Sequence, residues 1–176
     1  IALMDKQFNW KEEDFVIFFD QDTAIPNRHI QKLRMEYQAL EQQGENIGCL
    51  GPVYYNTNSG EEELPRHRKM VREETARVSA IITTSMLTRY GSLKKIGYWS
   101  SKIFLDYADW ELCWRLSKSH LKTYITRTSV IHHTVGEKNS KIGPIKFYVG
   151  QPVREYYQAR DAIYLIFLPQ TPLTKR

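Results

Sequence analysis

Residues 15–19, FVIFF, form an unbroken apolar run, the pattern of a strand covered on both faces in a parallel sheet, and the run stops at Asp20. From residue 27 to 43 the period becomes helical. Ile30, Leu33, Tyr37 and Leu40 share one face there, and Gly44 supplies a stop. Apolar stretches at 47–53, 78–87 and 121–131 predict further strands, and 91–97 reads as a short helix ended by Gly97. Residues 106–119 have helical spacing, with Leu112, Trp114 and Leu116 placed for packing and Arg115 and Lys118 near the end, where cations suit the helix dipole. A last helix over 151–168 carries Pro152 in its first turn and aromatic and aliphatic residues around most of its circumference. Strands alternating with helices, with no internal repeat, predict an α/β domain with a mostly parallel sheet flanked by helices. The polar stretches 56–65 and 134–152 are long enough to be active-site loops.

A chain of 176 residues fits one domain with a core of its own, and 41% hydrophobic residues exclude disorder throughout. Cys49 and Cys113 are the only cysteines, too few for a disulfide framework or a Cys-rich zinc site. Their apolar neighbours predict two buried thiols and a reducing compartment. No window offers the roughly 20 uncharged apolar residues of a membrane-spanning helix, and the opening lacks the basic-then-apolar order of a signal peptide. The chain begins with Ile1 and soon enters a buried-looking strand, so an upstream segment is expected. Charge is unevenly placed: residues 1–63 sum to −7 and residues 64–176 to +12. A basic half can attract phosphates or anionic lipid, or simply form a solvated face.

Three clusters could carry chemistry. In open α/β sheets ligands bind beyond the carboxyl ends of strands, where FVIFFDQD places Asp20 and Asp22. Two carboxylates aimed together repel unless a cation lies between them, and an all-oxygen set favours magnesium or manganese. In IFLDYADWELCWR, Asp106, Asp109 and Glu111 stand among aromatic residues. There, lost hydration raises a carboxyl pKa toward what a general base requires, although acids also simply decorate helix N-termini. In VIHHTVGEKN, His132 or His133 could give a nitrogen ligand to the same metal or contact a diphosphate. No G-x-x-x-x-G-K-[ST] or G-x-G-x-x-G loop is present, which excludes Walker-type and classical dinucleotide sites.

In order and spacing, FFDQDT, IITTSMLTRYGSLKKIGYW, FLDYADWELCWRL, IHHTVG and REYYQARD resemble the inverting glycosyltransferase family two with the GT-A fold, above all its bacterial rhamnosyltransferase branch. The resemblance covers residues 14–168. It implies a catalytic core over 1–149 without its first, nucleoside-binding strands, followed by an aromatic and basic helix over 150–176. It assigns Asp20 and Asp22 to donor and metal binding (Mn2+ or Mg2+), with His132 completing the metal or diphosphate site and His133 as the fallback. Asp109 takes the place of the catalytic base, with Glu111 and Asp106 at neighbouring acidic positions. Arg154, Tyr156, Tyr157 and Arg160 match a pattern near the carboxyl end that closes the donor site or faces the membrane. Ser85-Met86 replaces a small residue followed by glycine, and Asp161 replaces an asparagine.

The implied reaction moves a sugar, rhamnose from dTDP-rhamnose as the leading expectation, from a dTDP- or UDP-linked donor to a glycan or lipid-linked acceptor in cell-surface polysaccharide synthesis. The implied setting is cytoplasmic, with peripheral contact at the inner face of the plasma membrane and no nucleic-acid partner. Two other readings stay open from the residues themselves. One is a metal-dependent nucleotidyltransferase; the other is a non-catalytic basic module that binds nucleic acid or anionic membrane.

Overall fold

The computed structural model describes residues 9–21, 23–57, 60–133, 139–142, 145–148 and 152–172. Seven strands, β1 (Phe15–Ile17), β2 (Ile47–Asn56), β3 (Glu61–Glu63), β4 (Lys69–Met70), β5 (Thr75–Val78), β6 (Leu87–Arg89) and β7 (Lys122–His133), form one sheet. Its order is β1-β6-β2-β7-β5-β4, with β3 paired to β2. The helices are α1 (His29–Gln42), α2 (Tyr90–Ile96), α3 (Ala108–Lys118) and α4 (Pro152–Ile166), and a 3-10 turn at Leu105–Tyr107 leads into α3. β8 (Asn139–Ile142) and β9 (Ile145–Tyr148) make a separate hairpin inside the predicted 134–152 loop, just as β3 occupies part of the 56–65 loop.

The α/β class holds, but the sheet is mixed rather than mostly parallel. β2 and β7 are the one parallel neighbouring pair among the described strands, and β1–β6, β6–β2, β7–β5 and β5–β4 are antiparallel. β6 enters between β1 and β2 against their direction, running the same way as β5 on the far side of β7.

The predicted strand at 78–87 divides accordingly into the end of β5, a crossover over residues 79–86, and the start of β6. An apolar run marks burial, and it cannot distinguish a strand from an extended segment laid across a sheet face. The backbone bonds of this segment go elsewhere than a ladder: Ser85 N donates to the Phe18 carbonyl at 2.6 Å and Phe18 N to the Met86 carbonyl at 3.2 Å. FVIFF is likewise shorter as a strand than its apolar run, and it lies half-buried at the sheet edge rather than covered on both faces.

Two apolar layers cover the sheet. On one face α1 packs Leu33, Tyr37 and Leu40 against Ile47, Leu50, Leu87 and Tyr124. Ile30, expected on that face, is exposed, and His29 takes the buried position at the start of the helix. On the other face α3 packs Leu112, Cys113 and Leu116 against Cys49, Val53, Ile81 and Ile125. Both thiols are fully buried, and the hydrogen bond between them, together with burial, pushes the Cys49 thiol well up.

Glycine in β2 makes the α3 layer possible. A Cβ on Gly51 would stand 2.9 Å from Ile81 Cδ1, so the crossover passes directly over it. A Cβ on Gly48 would stand 3.1 Å from the Cβ atoms of both Leu116 and Leu121, which cannot swing aside as side-chain tips can. Gly48→Ala therefore lowers stability by about 1–3 kcal/mol, the range for overpacking a tight core. Chemical denaturation checks this, the expected result being a lower midpoint with an unchanged slope.

Candidate active site

At the end of β1 the chain turns sharply, with Thr23 N donating to the Asp20 carbonyl at 3.2 Å. Asp20 is exposed at the head of this turn, and Asp22 lies outside the described residues. Ala24 then forms an antiparallel bridge with His132, which fastens the loop after β1 beside the end of β7. The His132 ring is exposed and lies 5.3 Å from that of Tyr55. His133 closes β7, its backbone paired with Asn56.

The crossover brings two consecutive threonines to the same end of the sheet. Thr84 Oγ1 donates to Asp20 Oδ2. Thr83 N donates to Asp109 Oδ2 at 3.0 Å, and Thr83 Oγ1 donates to Asp109 Oδ1. Asp20 follows β1 and Asp109 sits in the first turn of α3, yet neighbouring residues of one segment hold both carboxylates. Their charges interact: the Asp109 carboxyl is pushed above its ordinary range chiefly by burial, with Asp20 and Asp106 adding to the rise and the Thr83 bonds opposing it. A half-buried carboxylate with a raised pKa has the properties of a proton acceptor.

The threonine pair is itself pinned. Ser85 adopts φ 63°, a conformation that glycine tolerates far better than a residue with a Cβ. Its buried hydroxyl is hydrogen-bonded to His29 Nε2, while His29 Nδ1 lies 2.7 Å from Ser129 Oγ on β7. Burial, with a contribution from Lys32, lowers the His29 pKa, so the neutral ring is the form that links the two hydroxyls. This bridge ties α1, the crossover and β7 together directly behind the two carboxylates.

The other residues singled out in the sequence are placed differently. Asp106 accepts from Arg154 Nε at 3.1 Å and Nη2 at 2.6 Å and also from Gln158. The Arg154 bond is the main cause of its lowered pKa. Arg160 Nε donates to Asp161 at 2.7 Å, and buried Asp161 also accepts from Phe104 N at 2.7 Å. These contacts latch α4 onto the turn before α3, so Arg154 and Arg160 each bind a carboxylate of this chain. Glu111 is buried away from the pair, accepting from Arg115 Nε at 2.6 Å and Gln170 Nε2 at 2.9 Å.

Thr83, Thr84 and His29 were not among the residues expected from the sequence. Two adjacent hydroxyls within an otherwise apolar stretch were the available signal for the threonines; His29 gave none, since its partners lie 56 and 100 residues away. Among the described residues no group of three or more His, Cys, Asp or Glu side chains is arranged to hold a metal ion. The described oxygen donors are Asp20 and, one residue beyond Asp22, Thr23, whose hydroxyl is buried without a partner.

No protein-family model matches the chain. It is similar to the dTDP-rhamnosyl transferase RfbF of Shigella flexneri, with 29% identity over 173 residues, which is 93% of this chain and 57% of that protein. The chain therefore spans a little over half the length of this relative.

The raised Asp109 pKa has a signed consequence for stability. A carboxyl that is harder to ionise when folded disfavours the folded state once it is charged, so the cost is absent below about pH 4 and grows as pH rises through the raised value. Asp109→Asn removes that cost while keeping an oxygen acceptor for Thr83. Thermal melts in chelator-containing buffer should show the variant gaining on the wild type from pH 4 toward neutrality, with no further gain above the raised pKa.

Proposed function

We propose that this chain is the catalytic part of a metal-dependent inverting glycosyltransferase that moves a sugar, rhamnose from dTDP-rhamnose in the first instance, to a glycan or lipid-linked acceptor in polysaccharide synthesis. The observation that carries the reading is the placement of Asp20 and Asp109 on adjacent hydroxyl clamps at the carboxyl end of β1. The similarity to a rhamnosyl transferase along nearly all of this chain supports the same class of chemistry.

The roles follow from charge. Asp109 takes the proton of the acceptor hydroxyl, which becomes the nucleophile at the anomeric carbon. Attack from the face opposite the leaving diphosphate inverts that carbon through a state of oxocarbenium character, as in glycoside hydrolysis. Thr83 holds Asp109 in position, and its two donated bonds stabilise the carboxylate form without neutralising it. Asp20 stands on the donor side, oriented by Thr84.

The donor side also fits a hard divalent cation. Asp20 is exposed at the turn, and three residues on, the Thr23 hydroxyl is buried with no hydrogen-bond partner among the described residues. Asp20 and Asp22 would hold Mn2+ or Mg2+, with His132 as a further ligand, and the ion would offset the charge that grows on the diphosphate as its bond to the sugar breaks. Asp106 and Glu111, each engaged by an arginine, shape the surroundings of Asp109.

The test separates the two carboxylates. In the full-length protein, Asp109→Asn should lower transfer by about 10²–10⁴-fold while leaving calorimetric binding of dTDP-rhamnose near the wild-type value. Asp20→Asn should weaken both donor binding and its dependence on manganese. Failure of any sugar nucleotide to bind with or without metal would end the reading.

A further inference from the structure

Helix α4 carries two stripes of side chains, and the body of the molecule uses only one. Arg154, Gln158, Asp161 and Leu165 follow one another at steps of four, three and four residues. All four face inward: Arg154 and Gln158 donate to Asp106, Asp161 accepts from Phe104 N, and Leu165 packs with Ile103 and Trp114. Tyr156, Ala159, Ile163 and Ile166 repeat the rhythm at steps of three, four and three on the side turned away from these contacts, and all are exposed. Tyr156 is 64% exposed, Ile163 61% and Ile166 44%, with Val153 and Phe167 exposed at the two ends of the stripe. Single exposed apolar side chains are ordinary, but a line of them along a whole helix of 15 residues marks a contact surface.

The spacing and the flanking charges say what fits this stripe. Alternating steps of three and four average about 3.5 residues, the period at which one helix keeps a narrow apolar seam facing a second helix. A lipid surface asks for a broad apolar face bordered by Lys and Arg. Here an acid, Glu155, borders the seam, and the arginines of α4 are each engaged by a carboxylate, Asp106 or Asp161. The two borders are complementary to each other. Glu155 stands just before the seam residue Tyr156 on one side, and Arg160 just after Ala159 on the other, five residues further on. In two parallel helices these positions meet across the seam, so each Glu155 comes opposite the partner's Arg160. Arg160 uses Nε and Nη2 on Asp161 and the Lys102 carbonyl, and a guanidinium has five N–H donors to give. Ala159, in the middle of the seam, is small enough for two backbones to approach closely.

We propose that α4 is a self-association surface, on which a second copy of this chain lays its own α4 in parallel, seam against seam, about a two-fold axis. Tyr156, Ala159, Ile163 and Ile166 each meet their own counterpart, and two Glu155–Arg160 contacts close the borders. The helix spans ~22 Å, too short for a coiled coil that must fold as it forms. α4 is already folded and latched to the body by Asp106 and Asp161, so pairing orders little that is not ordered beforehand. A contact of one helix length falls below about 1,200 Å², the low end of specific interfaces, and corresponds to a dissociation constant on the order of 10 μM. Nothing in the pairing depends on the sugar or on the carboxylates of the active site.

Sedimentation equilibrium of the full-length protein between about 1 and 200 μM tests the pairing, and the wild type should pass from monomer to dimer within that range. Ile163→Glu should weaken association roughly tenfold or more while leaving the unfolding midpoint near the wild-type value, because the side chain is exposed. Glu155→Lys, which sets two cations against each other across the seam, should weaken it about threefold at low salt and less at high salt. Ala159→Cys treated with diamide should give a covalent dimer, whereas Lys118→Cys, exposed at the end of α3, should not; the buried Cys49 and Cys113 stay silent in both. A wild type that remains monomeric throughout, or a dimer indifferent to Ile163→Glu, would overturn the proposal. So would a monomer that binds vesicles of equal phosphatidylglycerol and phosphatidylcholine, loses them on Ile163→Glu and holds them more tightly on Glu155→Lys, because the seam would then belong to a lipid surface.

Discussion

Two carboxylates that meet at the end of a sheet repel, and a protein that keeps them together must hold each one by something it cannot easily leave. Here the restraint is a pair of consecutive residues. Thr84 gives its hydroxyl to Asp20, and Thr83 gives both its hydroxyl and its backbone N–H to Asp109. Hydrogen bonds to ionised acceptors contribute on the order of 1.5–3 kcal/mol each, and on Asp109 they oppose the rise that burial and the neighbouring carboxylates impose. Because both clamps belong to one short segment, the spacing of the carboxylates follows from the backbone of residues 83–84. The segment is held in turn: Ser85 is bonded to His29, and Cys113 Sγ lies 3.9 Å from the Ile81 carbonyl. The rigidity of the site therefore comes from the crossover and the two helical layers on either side of it.

The uneven charge of the chain finds much of its answer inside the molecule. Of the eight ion pairs among the described residues, five join an acid of residues 1–63 to a base of residues 64–176: Glu36 to Arg72, Glu41 to Arg89, Glu12 to Lys94, Glu45 to Lys122 and Glu62 to Arg127. Most are at the surface, and each contributes little to stability. Their consequence is for partners. Bases already matched by acids of the same chain offer less to a polyanion than unpaired ones do. Among the described residues no helix is long and apolar enough to cross a membrane. On α4, Val153, Tyr156, Ile163 and Ile166 are exposed, so its apolar residues do not all serve the core.

Periodicity read the helices well because each buries a single stripe: Leu33, Tyr37 and Leu40 on α1 and Leu112 and Leu116 on α3 are all fully buried. Gly44 and Gly97, read as helix stops, both have positive φ, at 80° and 74°. The acidic end of β1 and the acid-rich start of α3 were legible because charged residues rarely follow a buried strand or crowd among aromatics without cause. Strand direction was not legible, since an apolar run carries no information about which way its neighbours point. The threonine clamp was hidden for a similar reason: residues 78–87 have strand composition, and only long-range bonds to Asp20 and Asp109 give Thr83 and Thr84 a separate meaning. Arg154 and Arg160 were visible as cations, and Asp161 directly follows Arg160, but nothing local indicated that Asp106, 48 residues away, would engage Arg154.

Cys49 and Cys113 lie where β2 meets α3, fully enclosed free thiols hydrogen-bonded to each other, with Cys49 Sγ also 3.5 Å from Thr123 Oγ1. An alkylating reagent can reach either sulfur only when α3 lifts from the sheet, and the same lifting would carry Asp109 away from Thr83. The two sulfurs are thus an internal reporter of how often the acid-bearing helix detaches. Their labelling rate under native conditions reports how readily the assembled pair opens.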